Sequence, residues 1–184
     1  MQTLLQPDSQ FEKDPRRRQE IRLRPIADIV YRSVFGNDID INRYEADYTL
    51  DIEFAIDVVL SLNSGMILNG QEKFLSNNYA KYHSLTVEYE QNQHSGEHGD
   101  WFKLACQFYF VGYSNLEETA FNPYIIANWP AIVLATEEGV IKWIDNKNKN
   151  GRARASFRYC DMYKLPQDCI IAKSWEEVKC ARLG

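Results

Sequence analysis

The fold is decided by the stretch from Leu50 to Phe74, LDIEFAIDVVLSLNSGMILNGQEKF. Ile52, Phe54, Ile56 and Val58 alternate with Asp51, Glu53, Ala55 and Asp57, which predicts a half-buried strand from Leu50 to Leu62. Asn63-Ser64-Gly65 supplies turn chemistry, and Met66 to Phe74 reads as the return strand of a hairpin. A three-residue loop pairs residue i with residue 128 − i, which sets Gln71 across from Asp57 and Lys73 across from Ala55. A two-residue loop changes the sum to 129, sets Glu72 opposite Asp57 and breaks that juxtaposition.

Working outward, Pro25 suits a first helical turn, Ile26, Ile29, Val30 and Val34 recur at helical spacing, and Gly36 suits a C-terminal cap. This predicts an amphipathic helix over 25–35, with a possible earlier start in the Arg-rich stretch before it. Leu85, Val87 and Tyr89 alternate with polar neighbours in a third strand, His83 to Glu90, followed by a polar loop over 91–100. Trp101, Leu104, Ala105, Phe108 and Val111 follow a helical period, so a helix is expected over 100–112, with Lys103 and Gln107 one turn apart and placed for a phosphate. Pro123 to Asn128 and Cys169 to Ala172 read as strands, and Pro130 as the start of a short helix. The element order predicts α/β or α+β architecture around a mixed sheet.

The chain has 184 residues, enough for one domain, expected over 16–184 after a polar leader at 1–15. Ordinary hydrophobic content, 45%, argues against disorder. The uncharged stretch Phe121 to Thr136 is shorter than the ~20 apolar residues a bilayer requires and contains Pro123 and Pro130, so no transmembrane helix and no membrane partner are expected. The N-terminus lacks an apolar signal segment, which predicts a cytoplasmic protein. Four cysteines without CxxC pairing read as reduced thiols, and His94 and His98 as loop residues rather than metal ligands.

The net charge is −5, yet bases are clustered. Arg16, Arg17, Arg18, Arg22 and Arg24 crowd one stretch, and Lys142, Lys147, Lys149, Arg152, Arg154 and Arg158 form a second with Asp145 as its acid. Either cluster can meet phosphate or remain a solvated surface. On the hairpin, a carboxylate, an amide oxygen and an ammonium brought onto one face match the needs of phosphodiester hydrolysis. Oxygen ligands hold Mg²⁺ or Mn²⁺, and a lysine orients the attacking water. The plainer alternative is a set of polar residues on an open sheet face.

Asp57, followed after 13 residues by Gln71-Glu72-Lys73 across a hairpin and preceded by a helix, resembles the core of the PD-(D/E)XK nuclease superfamily. The resemblance covers roughly residues 25–112. It implies a restriction-endonuclease-like mixed sheet flanked by helices, a Mg²⁺ or Mn²⁺ cofactor and DNA as substrate. Asp57 would match the superfamily's Asp and Lys73 its Lys, while Ile56 stands in place of the Pro and Gln71 in place of the acid. A Gln-x-Lys form of the motif occurs in the superfamily, and GQEKFLSNNY is similar to phage and bacterial nucleases of that form.

The implied catalytic residues are Asp57, Gln71 and Lys73, with Asp57 and Gln71 as metal ligands. An acid from the N-terminal helix often joins them in that superfamily, for which Asp28 is the first candidate and Glu20 the second. Glu88 on the third strand could reach the same site, and Asp51 could start the first strand or pair with Arg43. Glu72 should point away from Gln71 and Lys73, which makes it a control position. Phosphate contacts are expected from Arg16, Arg17, Arg18, Lys147, Lys149, Arg152 and Arg154, and a homo-oligomer from the need to cut two strands. A non-catalytic nucleic-acid or protein binding module on the same fold is the alternative, with a structural or host-interaction protein behind it.

Overall fold

A computed structural model describes residues 15–43, 49–92, 94–146 and 155–175. Helix α1 runs over Pro15–Phe35. It therefore begins ten residues before Pro25, which lies inside it. Leu23, Ala27 and Tyr31 form its fully buried stripe, flanked by the partly buried Ile26, Val30 and Val34. Ile29, expected on that face, is 68% exposed.

Among the described residues, ten strands make two sheets. The first, mixed and six-stranded, contains β1 (Asp40–Arg43), β2 (Val58–Ser61), β3 (Ile67–Leu75), β6 (Phe108–Ser114), β7 (Phe121–Asn128) and β10 (Ile170–Ser174), adjacent in that order. Only β3 and β6 run parallel among these neighbours. The second sheet is antiparallel, in the order β5 (Glu97–His98), β4 (Ser84–Asn92), β9 (Ser156–Asp161) and β8 (Ile144–Asn146). A short helix α2 (Trp129–Glu137) starts at Asn128, whose side chain caps it by accepting from the Ala131 N–H. The expected helix layers are thus present on one face, as α1, while the second sheet takes most of the other.

The hairpin has the three-residue register: Val58 pairs with Gly70 and Ser61 with Ile67, so every pair sums to 128. Its first strand is much shorter than the alternation predicts. Residues Thr49–Glu53 form a π-type turn, closed by Ala55 N–H to Asp51 C=O and Ile56 N–H to Leu50 C=O, with Ala55 at φ 47. The expected helix over 100–112 is also absent. Asp100–Phe102 is a single 3₁₀ turn, and Phe108–Ser114 is a strand buried along its whole length. A continuous apolar run such as FYFVGY satisfies helical spacing by accident, and burial on both faces makes it a central strand.

That strand, β6, feeds two cores. Phe108 and Phe110 pack under α1 with Leu23, Tyr31, Val58 and Leu60. Tyr109, Val111 and Tyr113 face the second sheet, where Leu85, Val87, Cys160 and Met162 meet them. The Tyr109 and Tyr113 hydroxyls donate to the backbone carbonyls of Thr86 (2.8 Å) and Ser84 (2.7 Å), tying the sheets together. Gly70 lies against the Phe108 ring so closely that an added Cβ would stand 2.1 Å from its Cζ. Gly70→Ala is therefore expected to lower stability by ~1–3 kcal/mol through overpacking, read as a reduced denaturation midpoint. An unchanged midpoint would show that Phe108 moves aside freely.

Candidate functional site

Strand β2 begins only at Val58, and the residues just before it lie off the sheet, while β3 runs past that point to Leu75. Asp57 bridges the departure point. Its N–H donates to the Gly70 carbonyl (2.9 Å), and its Oδ2 accepts from the Glu72 N–H (2.9 Å), so a side chain takes over the ladder where the backbone stops. Beyond it opens a groove of about 1320 Å³ between the start of α1, the exposed edge of β3 and the second sheet.

Side chains alternate along β3, and the parallel register with β6 tells which side each one takes. Gln71 and Lys73 stand beside Tyr109 and Val111, on the face toward the second sheet. Glu72 stands beside Phe110, on the α1 face. Asp57, Gln71 and Lys73 all border the groove. The Gln71 Oε1 is buried and accepts no hydrogen bond. An amide oxygen left in that condition costs roughly 1–3 kcal/mol, so the position favours a donor or a cation.

The electrostatics agree with that need. Burial pushes the Asp57 carboxyl up to about 8, opposed by the Glu72 N–H and reinforced by the charges of Glu72, Asp51 and Glu20. At neutral pH the group holds a proton that a divalent cation would displace. Burial lowers the Lys73 pKa, against the pull of Asp100 and Glu88, and its ammonium lies 4.7 Å from the centre of the Phe157 ring. Glu88 and Asp51 also border the groove, and burial raises both carboxyls. The oxygen atoms of Asp57 and Gln71 are hard donors, of the kind that would hold Mg²⁺ or Mn²⁺. Among the described residues, no three His, Cys, Asp or Glu side chains converge as a ready ligand set.

Several expected site residues lie elsewhere. Asp28 binds Arg43 at 2.8 Å and is not among the groove residues, whereas Glu20 borders the groove. Arg43 also binds Glu72, through Nε to Oε2 and Nη2 to Oε1, both at 2.8 Å, and the Tyr31 hydroxyl donates to Glu72 Oε1 at 2.9 Å. Asp51 does not pair with Arg43; it sits in the π-type turn. Glu72 faces away as expected, yet it is no solvent-layer residue: its side chain is 3% exposed and neutralises the buried Arg43. It cannot serve as a silent control. Lys103 pairs with Asp100, and the Gln107 side chain accepts from the Asn69 N–H, so neither projects toward phosphate from a helix.

Arg17 borders the groove and Arg18 is exposed on α1. Arg158 is held by Asp145 and lies against the Tyr89 and Trp101 rings. The Arg16 side chain and Lys147, Lys149, Arg152 and Arg154 lie outside the described residues, as do Cys180 and residues 1–14 of the leader expected over 1–15, whose last residue, Pro15, instead opens α1. Cys106, Cys160 and Cys169 are free, buried thiols. Within the described residues no helix is long and apolar enough to cross a membrane. Comparison with known proteins finds no matching family model, no matching curated protein and no matching solved structure.

Two expectations follow. The folded chain holds the Asp57 proton up to about 8, whereas an unfolded carboxyl loses it near 4, so this group's stabilisation is complete below ~4 and is lost as pH rises through about 8. Thermal or chemical denaturation between these limits should show stability falling by up to ~1.4 kcal/mol per pH unit, with the slope reduced in Asp57→Asn. An identical slope in that variant would contradict the assignment. Glu72→Ala leaves the half-buried Arg43 guanidinium with Asp28 as its remaining acid and the Tyr31 hydroxyl without its acceptor, and is expected to cost about 1.5–3 kcal/mol, measured by denaturant titration. A cost under ~1 kcal/mol would place Arg43 in solvent.

Proposed function

We propose that the chain is a divalent-metal-dependent endonuclease that hydrolyses DNA phosphodiester bonds on a restriction-endonuclease-like core. The observation that carries this reading is the buried, unpartnered Gln71 Oε1 in the same groove as a desolvated Asp57, with Lys73 two residues along the same strand face. The topology is compatible with it: a helix, an antiparallel hairpin bearing Asp57 and Gln-x-Lys, and a parallel neighbour for β3.

Asp57 and Gln71 would hold Mg²⁺ or Mn²⁺, with Glu20 rather than Asp28 as the helix acid within the groove. The bound ion would supply Lewis-acid polarisation of the phosphate and acidify a water. Lys73, on the same strand face as Gln71, would orient that water and stabilise developing charge on the phosphate. Arg17 provides a positive charge at the groove for the phosphate backbone. Cutting both strands takes two such sites, which goes with a homo-oligomer.

A second reading, a non-catalytic binding module on the same fold, is favoured by one feature: no complete set of acidic or imidazole ligands converges among the described residues. Cleavage of supercoiled and linear DNA with Mg²⁺ or Mn²⁺ separates the two. Wild type is expected to cut, Asp57→Ala and Lys73→Ala to lose at least ~100-fold in rate, and the exposed Glu117→Ala to cut normally. Salt-sensitive DNA binding without cutting would replace the nuclease with the binding module.

A further inference from the structure

The 3₁₀ helix Asn77–Tyr82 follows β3 directly and places two tyrosines, Tyr79 and Tyr82, three residues apart. Side chains at i and i+3 eclipse on a 3₁₀ helix, so both rings leave from one face, separated along the axis by ~6 Å, three rises of ~2.0 Å. Both border the groove, and they are 55% and 61% exposed. Among the described residues neither ring stacks on another aromatic; the Lys81 ammonium stands 5.1 Å from the centre of the Tyr82 ring. Large aromatic rings this open gain nothing for the core, and the same SNNYAKY segment holds no buried residue within its helix.

The charges of the groove narrow the choice of occupant. Among the described residues that border it, Arg17, Arg24 and Lys73 are set against the acids Glu20, Asp51, Asp57 and Glu88, while Glu72 is paired with Arg43. A strand held only by its phosphates would find little net attraction here. Stacking must then contribute much of the binding, and a stacking face is open only on unpaired bases. The ~6 Å of axial rise between the two positions is close to two nucleotide rises of ~3.4 Å, a spacing that suits one base per ring along an unpaired strand.

We infer that Tyr79 and Tyr82 form a stacking platform that selects single-stranded DNA, or a single-stranded segment next to a duplex, for the groove that ends at Asp57, Gln71 and Lys73. This deepens the nuclease reading and rests on it for the purpose of the platform, since the platform would deliver an unpaired strand to those three residues. Binding without added divalent metal tests the platform apart from cleavage. A fluorescein-labelled oligothymidylate and a duplex of equal length are compared by anisotropy against wild type, the Tyr79→Ala/Tyr82→Ala double variant and the Tyr79→Phe/Tyr82→Phe double variant.

The platform predicts that the oligothymidylate binds roughly tenfold or more tightly than the duplex, that the alanine pair loses this margin, and that the phenylalanine pair keeps it. Because both rings are exposed, all three proteins should share one melting temperature, which is measured alongside. Equal binding of the two DNAs, or an alanine pair that binds the single strand as wild type does, would overturn the platform while leaving any metal-dependent cutting untouched. A tyrosine-dependent preference for the single strand in a protein that never cuts would uphold the platform and remove the nuclease reading instead.

Discussion

The parallel ladder between β3 and β6, continued on the other edge of β3 by the Asp57 carboxylate, fixes the direction of every side chain from Gly70 to Leu75. Gly70 must be a glycine because Phe108 occupies the space of its side chain. Glu72 is turned under α1, where Arg43 and the Tyr31 hydroxyl complete its hydrogen bonds. Gln71 and Lys73 are turned the other way, into the groove. A slip of one residue in this ladder would exchange the two sets, burying an ammonium under α1 and exposing the carboxylate that neutralises Arg43. Register and site are therefore one constraint.

The groove is built to be electrostatically incomplete. Among the described residues, Asp57 is desolvated with no cation paired to it and Gln71 offers an acceptor without a donor, while the cation on the same strand face, Lys73, is itself desolvated and lies over Phe157. Contrast the other side of β3, where Arg43 joins Asp28 and Glu72 and each carboxylate meets a cation. Over three residues of one strand, Gln71 to Lys73, the two faces thus show opposite solutions to burying polar groups: one paired within the chain, the other with a desolvated carboxyl and an orphaned amide oxygen.

Much of this was legible in the sequence, because it rests on local chemistry. Asn63-Ser64-Gly65 and the flanking alternation gave the hairpin register, and with it the juxtaposition of Asp57 and Gln71 and the opposite facing of Glu72. The alternation over 50–57 misled, since a π-type turn with Ala55 at φ 47 is permitted by the same residues once tertiary contacts hold it. The Phe108–Ser114 strand reads as a helix in the sequence because a fully buried strand has no period of its own. The second sheet was out of reach: β4 pairs with β9 from Ser84 to Asp161, and no local pattern announces a partner so far along the chain. The Arg43 pairings were missed for the same reason, whereas Tyr79 and Tyr82 carried an i, i+3 spacing that only the 3₁₀ assignment makes meaningful.

The central claim is that Asp57 and Gln71 form a cation site. Isothermal titration of the protein with Mn²⁺ at neutral pH, repeated in two buffers of different ionisation enthalpy, tests it most directly. The account predicts saturable binding that releases close to one proton, the one held by Asp57, with the release abolished in Asp57→Asn and the affinity weakened in Gln71→Ala. Absence of saturable binding, or binding that neither substitution alters, would contradict it.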